Sequence, residues 1–260
     1  MAKRARSTML PAPYLKRIWV RPDALPLPKA YPFDIAWLSE DFELEFDTPV
    51  MIFCGENGAG KSTLIEALAG FCGFDEAGGG NGYAPVDHGM ALDVSGAGLG
   101  DALRGAWLPK VTQGWFFRAE TFFSVSRYLD ETAQTYGGTA PDFLSHSHGE
   151  GFLRFFSERM EQQGIYFLDE PESALSPRRQ VELLQLLMKV QQTGSSQVIL
   201  STHSPILMAT PGADLRQITH RGIFPIAYRD TEHFRLYQSF ALDPEGFLIS
   251  ALDGDWDAIT

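Results

Sequence analysis

Between Val50 and Cys72 the chain changes character twice within a few residues. Val50-Met51-Ile52-Phe53-Cys54 is apolar throughout, the pattern of a strand buried on both faces. Gly55-Glu56-Asn57-Gly58-Ala59-Gly60-Lys61-Ser62 follows and matches G-x-x-x-x-G-K-[ST] at every position, and Lys61–Cys72 then reads as a helix. Glycines allow a backbone to curl until its N–H groups face inward around a phosphate, at the positive end of the helix that begins there. Gly55, Asn57, Gly58, Ala59 and Gly60 are therefore expected to form an anion cradle. Lys61 would reach the β- and γ-phosphates of a nucleotide, Ser62 would ligate Mg²⁺, and Thr63 would donate to an α-phosphate.

Two further apolar runs end in polar chemistry. Ile165-Tyr166-Phe167-Leu168 delivers Asp169-Glu170-Pro171-Glu172 to the carboxyl end of a strand, the sheet edge at which nucleotides bind. Asp169 is expected to hold the Mg²⁺ water shell, and Glu170 to polarise the attacking water. Gln197–Ser201 is a third strand, followed by Thr202-His203-Ser204-Pro205, where His203 is placed to donate to a departing γ-phosphate.

Elsewhere the pattern is less regular. Tyr14–Arg21 fits an edge strand, and Pro22, Pro26, Pro28 and Pro32 exclude helix from the segment that follows. Asp41–Asp47 alternates Phe42, Leu44 and Phe46 with acids, as a half-exposed strand does. Trp115–Phe117 suggests a short strand, and Phe122–Tyr136 and Gly151–Gln163 suggest helices. Ser176-Pro177 caps a helix expected to bury Val181, Leu184, Leu187 and Met188. Strands alternating with helices imply a mainly parallel α/β sheet. The chain reads as one domain over residues 1–260, with a basic flexible tail at 1–13. A glycine-rich, partly flexible insertion is placed at 73–110 and a helical subdomain at 111–163.

Charge and cysteine content narrow the role. The formal charge is −12, which argues against free DNA as a default ligand, yet residues 1–30 hold seven basic side chains against the single acid Asp23. Cys54 and Cys72 lie in no metal or redox spacing and read as buried thiols. No stretch approaches the roughly 20 apolar residues of a membrane span, and the N-terminus lacks the apolar core of a secretory signal, so a cytoplasmic location is expected. His146 and His148 stand two apart beside an Asp142 at no ligand spacing, and are read as solvated residues.

These residues together resemble the ATP-binding-cassette (ABC) ATPases. The likeness is greatest to the non-transporter branch, beside the recombination and chromosome-maintenance ATPases and small bacterial "AAA family" ATPases, and it extends from about Tyr14 to Trp256. The resemblance implies an α/β P-loop fold with an antiparallel N-terminal β part and a small helical subdomain. It places the signature peptide at Ser147-His148-Gly149-Glu150, with Ser147 as the signature serine and Gly149 as its second glycine. It implies an ATP-dependent homodimer in which Ser147 and Gly149 complete the partner's nucleotide site, and in which Ser173–Ser176 crosses the interface. The family's glutamine loop is matched weakly. Gln113 precedes its strand rather than following it, so Glu120 is taken as the residue facing Mg²⁺. Tyr31 and Phe33 are the candidates for stacking on adenine.

The reading is thus of slow, Mg²⁺-dependent ATP hydrolysis in a regulatory, nucleic-acid-maintenance or defence role, with a protein or DNA partner. The alternative is the nucleotide-binding subunit of a membrane transporter, disfavoured by the divergent signature. The 86 residues from Lys61 to Ser147 leave no room for long coiled-coil arms. No Asn-Lys-x-Asp motif is present to select guanine.

Overall fold

A computed structural model describes residues 10–80, 96–118 and 148–255. Its framework is two sheets with α1 (Lys61–Phe71) packed beside the larger one. The smaller sheet has the order β2-β1-β5, from β1 (Leu15–Val20), β2 (Glu43–Glu45) and β5 (Leu103–Trp107), and is antiparallel throughout. The larger has the order β10-β9-β3-β8-β7-β6-β4. Its five inner strands are parallel: β9 (Asp214–Thr219), β3 (Val50–Cys54), β8 (Gln197–Ser201), β7 (Ile165–Asp169) and β6 (Gly114–Arg118). β10 (Gly222–Pro225) and β4 (Gly79–Gly80) close the edges antiparallel.

Side chains alternate across a strand, so a run that is apolar at every position feeds two cores. Val50, Ile52, Trp115, Phe117, Tyr166, Leu168, Val198 and Leu200 face one side of the sheet. There they meet α3 (His148–Met160) and α4 (Pro177–Thr193). Phe117 and Phe152 pack edge to face with centroids 4.7 Å apart, as do Trp115 and Phe155 at 4.6 Å. Met51, Phe53, Phe116, Phe167 and Ile199 face the other side, against α1 and the antiparallel sheet. Gln197, buried at the start of β8, ties the two sheets together. Its Oε1 accepts from the Tyr14 and Leu15 N–H groups at 2.9 and 2.8 Å, and its Nε2 donates to the Leu15 carbonyl at 3.0 Å.

The sequence expectations differ from this architecture in three places. β1 is the central strand of its sheet, because Leu103–Trp107 pairs with the edge that Tyr14–Arg21 was expected to leave open. The ends of the glycine-rich stretch are built into the fold. Gly79–Gly80 forms β4, and α2 (Ala97–Gly100) lies so close to α1 that a Cβ on Gly100 would stand 2.7 Å from the Ala67 carbonyl oxygen. On α4 the buried stripe is Leu183, Leu186, Leu187 and Val190, while Val181 is 42% exposed and Leu184 and Met188 are half-buried. The expected helix Phe122–Tyr136 lies outside the described residues, as do positions 1–9 of the basic tail.

After β10 the chain forms two helices that the sequence reading did not assign, α6 (Glu232–Leu242) and α7 (Pro244–Asp253), preceded by the short α5 (Pro205–Met208). Thr231, buried, caps α6 by accepting from the Phe234 N–H at 3.2 Å and donates to the Tyr228 carbonyl at 2.7 Å. Tyr228 and Phe234 pack edge to face at 4.8 Å, which fixes the start of α6 against the body.

Candidate functional site

Register brings the three expected segments to one edge. Asp169 stands opposite Ser201, and Ser201 opposite Phe53, so the residues that follow β3, β7 and β8 all emerge together. This is the carboxyl edge of a parallel sheet, where loops from neighbouring strands can surround one ligand.

The Gly55–Ser62 turn has the curled backbone expected of it. Gly55 and Gly60 have φ of 148° and 89°, and a side chain at either would collide with fixed structure. A Cβ on Gly55 would stand 2.5 Å from the Ile218 carbonyl oxygen, and one on Gly60 2.6 Å from the Trp37 indole nitrogen. Lys61 is buried within the turn, and its Nζ donates to the Gly55 and Glu56 carbonyls, both at 3.0 Å. Burial pushes its pKa down, while the nearby Glu170 and Asp169 carboxylates oppose that shift.

Asp169 is buried at the end of β7, accepts a 2.6 Å hydrogen bond from the Ser201 hydroxyl, and is hydrogen-bonded with Ser62. Burial raises its pKa, against the pull of the Ser201 hydrogen bond and the Arg118 guanidinium. Arg118, beside Asp169 in the β6–β7 register, forms a 2.8 Å ion pair with the buried Glu66 of α1. Glu170 has left-handed backbone at φ 47°, the one such non-glycine among the described residues. In that conformation its N–H donates to the Ser201 carbonyl at 3.1 Å.

His203 is held from two sides. Its N–H donates to Glu172 Oε1 at 2.5 Å, and its Nδ1 lies 3.1 Å from Nε2 of His233 at the start of α6. Its Nε2 points at Glu170 Oε1, 3.5 Å away, and has no closer hydrogen-bond partner among the described residues. Burial and the Lys61 charge both lower its pKa, favouring a neutral ring at neutral pH.

The arrangement therefore gathers Lys61, Ser62, Asp169, Glu170 and His203 around one mouth. Tyr31 stands at its side, exposed, with its hydroxyl 3.1 Å from Thr63 Oγ1, whereas Phe33 is half-buried and packs against the core. Ser176, which the resemblance implied at an interface, caps α4 by accepting from the Arg179 N–H. Gly149 falls in the first turn of α3. Ser147 and Glu120 lie outside the described residues. Ser201, Glu172 and His233 are the contributors that sequence reasoning did not assign. Ser201 and Glu172 adjoin motifs already read, but His233 carries no local signal.

The donor set suits a magnesium nucleotide triphosphate. Gly55, Gly58 and Gly60, at φ of 148°, 76° and 89°, give the turn the curled path in which successive backbone N–H groups can face a phosphate. A buried lysine whose partners among the described residues are carbonyl oxygens can exchange them for phosphate oxygens. One hydroxyl beside one buried carboxylate is the sparse protein share that Mg²⁺ takes when phosphates supply the rest.

Two family models match the sequence. One, described as "AAA domain", covers residues 32–97. The other, described as "AAA domain, putative AbiEii toxin, Type IV TA system", covers residues 121–209. No curated protein matches the sequence. Among solved structures, cbiO1 from Clostridium perfringens, part of the ABC transporter complex cbiONQ, is 15% identical with a TM-score of 0.42, covering 81% of this chain and 91% of that one. The SMC head domain from Thermotoga maritima is 16% identical with a TM-score of 0.40, covering 82% and 99%.

Proposed function

We propose that this chain is an ABC-type P-loop NTPase that binds Mg·ATP and hydrolyses it slowly, a reading supported by the two AAA-domain matches over residues 32–97 and 121–209. The observation that carries the reading is the convergence of the Lys61 turn, the Asp169-Glu170 pair and His203 at one sheet edge. Bound Mg²⁺, held by Ser62 and Asp169 with Glu120 facing it, would supply charge neutralisation between the β- and γ-phosphates. Gly55–Gly60 would bind the phosphates through backbone N–H groups, with Lys61 exchanging its two carbonyl partners for β- and γ-oxygens. Thr63 would meet the α-phosphate and Tyr31 the adenine.

Glu170 orients the attacking water and takes its proton, and His203 Nε2–H donates to the γ-phosphoryl oxygens as charge gathers there. Ser147 and Gly149 would approach the same γ-phosphate from a second copy of the chain, so that ATP closes a homodimer. The work of hydrolysis would then be opening and closing of that dimer in a regulatory or defence setting, and one of the two matching family descriptions names a type IV TA system. A protein or DNA partner would receive that motion.

The direct test is Glu170→Gln. It keeps the side chain's shape and hydrogen bonding but cannot take the water's proton. ATP binding by equilibrium dialysis should stay within a few-fold of wild type, while hydrolysis falls by roughly two or more orders of magnitude. Unchanged hydrolysis would remove Glu170 from the mechanism, and an absence of ATP binding in the wild type would remove the function.

A further inference from the structure

The start of α6 reaches back across the chain to the sheet edge, and the side chain it places there touches the one imidazole the site uses. His203 Nδ1 and His233 Nε2 are 3.1 Å apart, with ring centroids 5.3 Å apart and planes tilted by 49°. Two neutral imidazoles at that distance need one nitrogen to donate and the other to accept. Burial lowers the pKa of both rings, so the neutral pair is the state to consider.

The other end of His203 decides which nitrogen donates. Its Nε2 faces the Glu170 carboxylate at 3.5 Å. If His203 carried its proton on Nδ1, a lone pair on Nε2 would oppose a carboxylate oxygen, acceptor against acceptor. If His233 Nε2–H donates, His203 Nδ1 accepts and its proton sits on Nε2, aimed at Glu170. Only the second arrangement satisfies both ends. It also leaves a donor, rather than a lone pair, where a γ-phosphate would meet the ring.

Resting on the ATPase reading above, we propose that His233 is a positioning residue for hydrolysis: by donating from Nε2 to His203 Nδ1 it holds His203 in the Nε2–H tautomer, oriented at the water and γ-phosphate beside Glu170. The energetic logic is that of a second side chain which fixes both proton position and ring angle of a histidine. The local fold supports the role. Thr231 caps α6 two residues before His233 and is itself buried, and the Tyr228–Phe234 pair anchors the same turn. The clasp thus links the C-terminal helices to the site.

The first test needs no nucleotide. The chain has six histidines, so ¹⁵N spectra of the imidazole nitrogens are tractable, and His203→Gln identifies the His203 signals by their loss. In the wild type His203 should show a protonated Nε2 and a bare Nδ1. In His233→Ala those two signals should move towards each other as the tautomers mix. A wild-type His203 protonated on Nδ1, or signals unmoved by His233→Ala, overturns the proposal.

The second test reads turnover. His233→Ala should lower kcat about tenfold with ATP affinity within twofold of wild type, and His233→Gln, whose amide N–H can donate to Nδ1, should recover much of it. In a His203→Ala background, His233→Ala should have no further effect. Equal losses in both backgrounds, or no rescue by glutamine, would assign His233 a purely structural role. A wild type that binds no ATP removes the ATPase reading and this proposal together. Normal wild-type turnover that is insensitive to His233→Ala removes this proposal alone.

Discussion

Asp169 and Glu170 are adjacent carboxylates in opposite surroundings. Asp169 is buried and bonded to Ser201 and Ser62, whereas the Glu170 side chain is 37% exposed and turned towards His203 by left-handed backbone. Holding a non-glycine residue in that region costs on the order of 1 kcal/mol or more, and the Glu170 N–H bond to the Ser201 carbonyl helps offset it. That contrast is the ground for proposing that Asp169 holds a metal and Glu170 a water. Lys61 is constrained differently: among the described residues its ammonium donates to carbonyls, so phosphate oxygens are a better match for its charge. Lys61→Ala should weaken ATP binding by more than about 100-fold, the worth of two charge-assisted hydrogen bonds. Isothermal titration checks it, and undiminished affinity would remove the phosphate-cradle assignment.

At the scale of elements, what the sequence revealed depended on how strongly burial wrote itself into residue type. β3, β7 and β8 are apolar on both faces, so their positions and their polar endings were legible together. β5 was not, because Leu103-Arg104-Gly105-Ala106-Trp107 carries little alternation, and its place against β1 is settled by long-range pairing. On α4 the phase was misread. Val181 begins an apolar series at helical spacing, but the sheet meets the neighbouring stripe of Leu183, Leu187 and Val190. The two residues should therefore respond oppositely to truncation. Leu187→Ala, in a fully buried site, should cost about 2–5 kcal/mol of unfolding free energy. Val181→Ala should change it by less than about 0.5 kcal/mol. Denaturant melts of the two variants check the helix phase, and similar losses would mean that α4 is turned otherwise.

For the whole molecule, the convergence of the candidate site was legible because its motifs end strands, and the register of one sheet gathers them. His233 was not legible, since a histidine 30 residues beyond His203 has no spacing that foretells a contact, and α6 brings it there only once the chain has folded. The proposed completion of the site by a second copy belongs to this scale too. Under the ATPase reading, the signature segment Ser147–Gly149 of a second copy is proposed to cover the γ-phosphate beside Lys61, Glu170 and His203. Because Glu170→Gln would bind ATP without consuming it, that variant should hold the closed state and elute as a dimer with ATP and as a monomer without it. Adding Ser147→Arg should place bulk and charge against the partner's phosphates and return the protein to monomer. Wild-type activity per subunit should rise with protein concentration until dimers saturate. A Glu170→Gln variant that stays monomeric with ATP bound, together with specific activity that is flat across concentration, would overturn the two-chain site. Hydrolysis would then have to be completed within a single chain, without Ser147 and Gly149.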